Sequence, residues 1–412
     1  MSDIRPFRGL RPPVDLVARV ASPPYDVINS AEARVMAAGN PYSFLHVNKA
    51  EIDLPEDVDI HSDEVYEKSA QNLRRFVADG VLVRDRRESF YIYRLTMGRH
   101  VQHGIVAGFS VQEYEDDLIR KHELTRREKE DDRARHTEKL MANAGPVLLT
   151  FRNRPEIRAL VNRALAGAPA CDFTAADGIG HTLWLIDDPA QVAALRDAFA
   201  AVPVIYVADG HHRSASAFRV RNNLRARNPR HTGQEAYNHF LAVAFPDDEL
   251  QIMGYHRVVQ DLNGLAADAF LARIGERFAI EPTSDPEPPA VRTSTMYLNN
   301  QWYRLTAKPG TFPAADPVKS LDAAILQDNL LAPLLGIDDP RTSRRIDFVG
   351  GIRGTGELER RCRADMRVAF ALFPVSVAQL MAIADAGAIM PPKSTWFEPK
   401  LRSGVVVRTL AD

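Results

Sequence analysis

The stretch VPVIYVADGHHRSASAFRVRNNL, Val202 to Leu224, most constrains what this chain can fold into. Val204, Ile205, Tyr206 and Val207 form an apolar, β-branched and aromatic run that reads as a buried strand entered at Pro203. Asp209 and Gly210 close it, glycine being the residue that tolerates backbone geometry others resist. A helix follows, with Ala217, Val220 and Leu224 on one stripe and Arg219 and Arg221 off it. A strand, a glycine turn and a helix start present unpaired amides, which together make an anion site. The turn carries Asp209, His211, His212, Arg213, Ser214 and Ser216. Arg213 can clamp a phosphate through two parallel hydrogen bonds, and Asp209 can offer its carboxylate to a metal or a proton. Surface histidines beside an Asp-Gly turn are also common without any function, so the turn needs support from elsewhere in the chain.

Length excludes a single simple core: 412 residues imply two or three domains. With 52 Lys and Arg against 54 Asp and Glu, the net charge of −2 points to neither nucleic acid nor an anionic membrane as a partner. Cys171 and Cys362, the two cysteines, make neither a disulfide framework nor a thiolate metal site. The opening MSDIRPFRGLRPP lacks the apolar core of a signal peptide, and no apolar run is long enough to span a bilayer. A cytoplasmic protein is the expectation, and nothing in the sequence excludes a homo-oligomer.

The segment Ser22-Pro23-Pro24-Tyr25-Asp26 is expected to be extended and stiff, able to hold Tyr25 and Asp26 as a site wall or simply to act as a strap. Ser30 to Ala38 reads as a helix with Ser30 as its cap, FLHV (Phe44 to Val47) as a strand, and Val65 to Ala78 as an amphipathic helix. Strands are expected around Val81 to Val83, Phe90 to Leu95 and Val101 to Phe109, the last two as a hairpin. Between Val111 and Gly145 both charges become dense. Thr125 with Glu128 reads as a capping box and Gly145 as the stop of the helix between. A helix polar all round is usually a solvated face; the alternative is that Asp132, Arg133, His136 and Lys139, which share one side, line a polar cleft. His122 and Glu123 precede the cap, where a carboxylate can serve as base or ligand.

Strands at Val147 to Phe151 and His181 to Ile186 alternate with helices at Glu156 to Ala166 and Ala190 to Phe199, the signature of a mixed α/β fold. Further strands are expected at Tyr237 to Phe245 and Ile252 to Val259, and a helix at Leu265 to Phe278. A polar connector follows at Glu281 to Pro289, then a hairpin at Met296 to Leu305 and a helix at Lys319 to Gln327. Strands at Ile346 to Val349 and Val368 to Phe373 are each followed by a helix. The organisation reads as an N-terminal α+β segment (1–110), a central segment holding the charged helix and the glycine turn (111–280), and a C-terminal α+β segment (291–412). The last contains the stiff loop PPKSTWFEPK, with Lys393, Ser394, Thr395 and Lys400, before a final strand at Val405 to Val407. Lys-Ser-Thr suggests phosphate binding, yet the glycine-rich cradle of a Walker loop is missing.

Four stretches together, SPPYDVI (Ser22 to Ile28), HELT (His122 to Thr125), ADGHHR (Ala208 to Arg213) and MPPKSTWFEPK (Met390 to Lys400), resemble the signature set of a widespread prokaryotic family long catalogued as a domain of unknown function. The DGHHR turn is also similar to one in free serine kinases of the ParB/sulfiredoxin type, which make O-phosphoserine from free L-serine. The resemblance implies a ParB/sulfiredoxin-like core elaborated by further α+β segments, a donor-phosphate site at Asp209 to Arg213, magnesium, and ATP, ADP or pyrophosphate as donor. On this reading Asp209, His211, His212 and Glu123 are the candidates for catalysis. Gly210, Arg213, Ser214, Arg133, Lys393, Ser394, Thr395, Lys400, Tyr25 and Asp26 are the candidates for binding phosphate or substrate, and Asp131 and Asp132 for holding the metal. The small ParB-type kinases are shorter, and no motif maps their catalytic base onto this chain. A nucleotide-binding regulatory module without kinase activity is the alternative. A metal-dependent hydrolase is disfavoured because adjacent histidines in a strand-like turn face opposite ways and His122-Glu123 lacks a second histidine at Arg126.

Overall fold

The computed structural model describes residues 2–411, which divide into two compact units. Of the described residues, the first comprises 2–250 and 399–411; the second comprises 251–398 and is inserted between them in sequence. The three segments expected from sequence do not match this division. Strands from both sides of residue 110 share one sheet, and the last residues of the chain return to the first unit.

In the first unit, among the described residues, nine strands form one mixed sheet. In chain order they are β1 (Ile4–Arg5), β2 (Phe90–Met97), β3 (His100–Ser110), β4 (Ile119–Arg120), β5 (Val147–Phe151), β6 (Cys171–Thr174), β7 (Gly180–Ile186), β8 (Ile205–Asp209) and β9 (His239–Pro246). The spatial order is β4-β8-β5-β9-β3-β2-β7-β6, with β1 on β3. β2 and β3 form the expected hairpin, Met97 facing His100. Two pairs are parallel, β8 with β4 and β9 with β5. Helices Asp63–Ala78 (α1), Arg127–Leu140 (α2), Pro155–Leu165 (α3), Pro189–Ala200 (α4) and His211–Arg227 (α5) accompany it. The core runs from Phe90, Ile92 and Phe109 through Leu149 and Phe151 to Phe199, Ile205 and Val207. The alternating strand and helix signals therefore led to a mixed α/β fold, as read.

Several local expectations are corrected. FLHV is helical, Leu45–Asn48 forming one turn packed under α1, because a run of four residues carries no period of its own and the packing partner decides. Asn29 rather than Ser30 caps the helix Ser30–Ala37, through a reciprocal pair with Glu32. Tyr25 and Asp26 lie in a turn, closed by the Val27 amide on the Pro24 carbonyl, rather than in an extended wall. α2 starts at Arg127 without a side-chain cap; Thr125 donates to Glu130 instead of pairing with Glu128. That helix stops at Met141, whose left-handed backbone (φ 48°) ends it before Gly145. Val405 to Val407 is not a strand: Val407 makes one bridge to Leu10 and packs into the core beneath α1.

The second unit holds an antiparallel sheet of six strands among the described residues. The relevant strands are β10 (Gln251–Met253), β11 (Tyr255–Val259), β12 (Phe278–Thr283), β13 (Thr293–Leu298), β14 (Gln301–Ala307), β15 (Ile346–Gly350), β16 (Val368–Leu372) and β17 (Trp396–Glu398). The sheet order is β12-β14-β13-β16-β11-β15, and β10 and β17 pair separately. The single strand expected over Ile252 to Val259 thus splits at Gly254, where a Cβ would lie 2.5 Å from the Leu372 carbonyl. β12 takes in the first residues of the expected connector, Glu281 to Thr283 pairing with Arg304 to Trp302. The helix expected over Lys319 to Gln327 is shorter, Asp322–Leu326, and runs into a π-turn over Gln327–Leu331. Among the described residues no helix is long and apolar enough to cross a membrane.

Candidate functional site

The site is built where β8 ends and α5 begins. Between Val207 and Asp209 the register against β5 shifts by one residue. Such a bulge bends the strand end and re-aims its side chains. Gly210 follows with φ 96°, and a Cβ there would stand 3.2 Å from the Arg213 guanidinium, so glycine is required on both counts. α5 then starts at His211. The two histidines therefore sit on the first turn of a helix, not in a strand-like turn, and the argument that they must face opposite ways does not apply. The expected stripe is there, with Ala217 and Val220 buried. Arg221, placed off that stripe from sequence, is also buried, held by Glu115 at 2.6 Å.

Asp209 meets Lys400, its Oδ2 2.9 Å from the Lys400 Nζ. Burial pushes the Asp209 carboxyl up, but Lys400 and Arg213 outweigh it and hold the group well below the usual carboxylate range. Asp209 is thus an anchored anion and a poor base. Arg213 points back toward the loops, one nitrogen 3.5 Å from Asp26 and another on the Pro146 carbonyl, while its Nε is buried without a partner. Tyr25 lies beneath Arg133, 4.1 Å from ring centre to guanidinium, and burial with Asp26 nearby pushes its phenol up to about 12. Ser214 turns its hydroxyl into the helix, donating to the His211 carbonyl at 3.0 Å. The structure so brings Tyr25, Asp26, Arg133, Asp209, Gly210, Arg213, Ser214 and Lys400 into linked contacts within the first unit.

His211 does not pair with its neighbour in sequence. It meets His122, their rings edge to face with centroids 4.4 Å apart. β4 runs parallel to β8 and leads within two residues to His122, which brings that side chain alongside the end of β8. Both imidazoles are buried, at 1 % and 5 % exposure. The His211 Nε2 is buried without a hydrogen-bond partner, whereas His122 has the Val207 main chain as its polar neighbour. Burial lowers the His122 pKa to about 4, with Asp209 opposing, and burial with His122 alongside pushes His211 well below its ordinary value. The pair is neutral at pH 7. His212 instead accepts from the Arg126 amide at 3.2 Å, and Glu123 is half-buried on the loop after His122. His122 was not singled out as a site residue from sequence; its place in HELT, beside a short apolar strand, was the available signal.

The helix α2 is corrected from a solvated face to an element wedged between α1 and α5 by polar contacts. Tyr66 on α1 donates to Asp132 at 2.7 Å, and Ser69 lies 2.9 Å from the His136 Nε2. From α5, Arg219 reaches Glu130 at 2.7 Å. Asp131 and Asp132, taken from sequence as metal ligands, face different partners. Asp131 pairs with Arg219, whereas Asp132 is buried among His61, Tyr66 and Arg133. Burial raises the Asp132 pKa, but Arg133, Tyr66 and His61 together bring it down to about 2. Among the described residues no group of three or more His, Cys, Asp or Glu gathers as a ready metal shell. The residues suit magnesium in its usual manner, one or two carboxylates with the remaining ligands from substrate phosphates and water, and Asp209 and Asp26 are the carboxylates at hand.

Lys393, Ser394 and Thr395 belong to the second unit. Lys393 is exposed with a left-handed backbone (φ 59°), Ser394 is buried and donates to the Pro391 carbonyl at 2.7 Å, and Thr395 is half-buried.

A model of the family described as "Protein of unknown function (DUF1015)" matches residues 4–324. No curated protein matches the sequence. Among solved structures, a free serine kinase in complex with AMP is similar at 10% identity, covering 68% of this chain and 84% of that one, with a TM-score of 0.34. SbnI with a C-terminal truncation, from Staphylococcus aureus, is similar at 13% identity over 72% and 85% of the two chains, with a TM-score of 0.38. A conserved hypothetical protein from Pyrococcus furiosus is similar at 10% identity over 71% and 93%, with a TM-score of 0.35.

Proposed function

We propose that this chain, which belongs to the DUF1015 family, is a small-molecule kinase that transfers a phosphoryl group from ATP, ADP or pyrophosphate to the hydroxyl of free L-serine, giving O-phosphoserine. The observation that carries the reading is the meeting, at the left-handed Gly210, of a helix start, Arg213, the Lys400–Asp209 pair and two buried neutral imidazoles, the Nε2 of His211 without a hydrogen-bond partner.

Phosphoryl transfer asks a protein for positioned positive charge and for a group that orients the acceptor hydroxyl. The first amides of α5 and the Arg213 guanidinium supply donors for the donor's phosphates. Lys400, fixed by Asp209, supplies a second cation. Asp209 or Asp26 would hold a magnesium ion, which would supply charge neutralisation at the donor's phosphates. In the transfer the serine oxygen bonds to the terminal phosphorus, the bond from that phosphorus to the leaving phosphate oxygen breaks, and the serine proton passes to His211. We assign the proton to His211 because its ring is neutral and without a hydrogen-bond partner, whereas Asp209 is held by Lys400 and Glu123 is engaged with other groups. His122 stands behind His211 as a positioning residue. His212, tied to the Arg126 amide, shapes the loop. L-Serine as acceptor rests on the resemblance of the DGHHR turn, a cytoplasmic setting on the two distant cysteines, and small molecules rather than nucleic acid as partners on the near-neutral net charge.

Phosphorus NMR of the protein with Mg²⁺, L-serine and each donor in turn tests the reading. Phosphoserine that forms with wild type and not with Arg213→Ala is the expected result. Donor hydrolysis without phosphoserine discards serine as acceptor. Binding of donor without turnover under any condition replaces the kinase by a nucleotide-binding regulatory module.

A further inference from the structure

The second unit contains a buried cation that no acid matches. Arg257 lies on β11, between Tyr255 and Val259 on one face of the strand. Only 3 % of it is exposed. Its guanidinium donates to the main-chain carbonyls of Tyr255 and Pro392, the latter at 3.3 Å, and stacks 5.2 Å from the centre of the Phe348 ring. Among the described residues no carboxylate pairs with it. Asp347, next to Phe348, pairs with Arg361, and Glu398 accepts from the Trp396 indole. The neighbouring His256 is buried and accepts the Leu372 amide on Nδ1. Burial brings the Arg257 pKa down to about 10.

Taking a guanidinium out of water costs several kcal/mol or more unless a counter-charge meets it, and carbonyl dipoles offset only part of that. An apolar side chain would fill this place on the sheet at lower cost. The loop that Arg257 touches offers a second cation. Lys393, directly after Pro392, carries its ammonium 5.6 Å above the Tyr255 ring, and no carboxylate pairs with it among the described residues. Tyr255 is itself flanked edge to face by Phe348 at 6.0 Å and Trp396 at 5.1 Å. Two cations thus meet at one aromatic residue, one buried and fixed, one exposed and able to move. Fixed positive charge beside half-buried aromatic rings is a setting in which a small oxyanion can leave water.

We infer that Arg257 and Lys393 form an oxyanion-binding site belonging to the second unit, taking a phosphate or carboxylate group of a small molecule. The inference does not depend on the kinase reading, whose phosphate contacts lie at Gly210 and Arg213.

Calorimetric titration of the full chain with inorganic phosphate tests it, in an Arg213→Ala background so that binding at the glycine turn does not contribute. Adding Arg257→Met or Lys393→Ala to that background is expected to weaken phosphate binding at least tenfold and several-fold respectively. Acetate in place of phosphate separates the two sources of the group: equal affinity marks a carboxylate site, and a clear preference for phosphate a phosphate site. No binding to Arg213→Ala protein overturns the inference, as does binding that Arg257→Met leaves unchanged. If Arg257→Met does not fold, Lys393→Ala decides: the variant is on the surface, and unchanged phosphate affinity there overturns the site. Loss of phosphoserine formation in wild type with phosphate binding intact would remove the kinase reading and leave this one standing.

Discussion

The two units solve opposite electrostatic problems. Around the glycine turn, the cations are matched: Arg213 by Asp26, Lys400 by Asp209, Arg133 by Asp132, Arg219 by Glu130, Arg221 by Glu115. What is unmatched there is a neutral base, the Nε2 of His211, with the neutral His122 ring against it. In the second unit the neutral base is satisfied, His256 accepting a main-chain amide, and it is a cation, Arg257, that has no acid. A matched charge is held in a fixed orientation, from which Arg213 and Lys400 can meet phosphates. An unmatched base awaits a proton and an unmatched buried cation an anion, so the two regions point to different ligands from the same physical rule.

The largest effect expected is on turnover. Arg213→Ala should lower phosphoserine formation about 100-fold or more, the usual cost of losing one donor to a developing charge. Activity within a few-fold of wild type would show that the guanidinium serves only Asp26 and Pro146. Next comes a contrast in stability, read by urea unfolding. Lys400→Met strands the Asp209 carboxylate and should cost about 1–3 kcal/mol, tempered by the partial exposure of Asp209. Arg257→Met removes a buried charge that no acid pairs and should be neutral or stabilising by about 1 kcal/mol. Equal losses in both would erase the distinction between the two regions.

A third test uses pH. His122 has a folded pKa of about 4, below its unfolded value, so between roughly pH 6.5 and 4 the unfolded chain binds the extra proton. Stability must then fall as pH falls through that window, by about 1.4 kcal/mol per pH unit for this group. His122→Phe should flatten the slope by one proton, and an unchanged slope would place His122 in contact with solvent. The smallest effect is expected at Lys393→Ala, within about 0.5 kcal/mol of wild-type stability, since the side chain is exposed.

Much of this was legible in the chain. β5 was read at its own boundaries, and β8, Gly210 and α5 nearly so, because a β-branched run, an obligatory positive φ and a 3.6-residue stripe are local properties. The candidates Tyr25, Asp26, Arg133, Asp209, Arg213 and Lys400 were named from residue type and motif before any contact was known. The misreadings share a cause. FLHV became helical under α1, α2 was packed on one face between α1 and α5 through polar contacts on both sides, and Asp131 and Asp132 parted because adjacent helix positions diverge by about 100°.

The sequence by itself determined the elements and the stock of chemical groups, since backbone propensity and side-chain type act over a few residues. Only the tertiary structure decided which groups meet. His122 and His211 are brought together by a parallel strand pair, Lys400 reaches Asp209 because the chain returns after the inserted second unit, and Arg257 is left without an acid by the packing of β11. Each depends on pairing residues far apart in sequence, where loop length carries no information about which partner is reached and the burial of the whole core selects it.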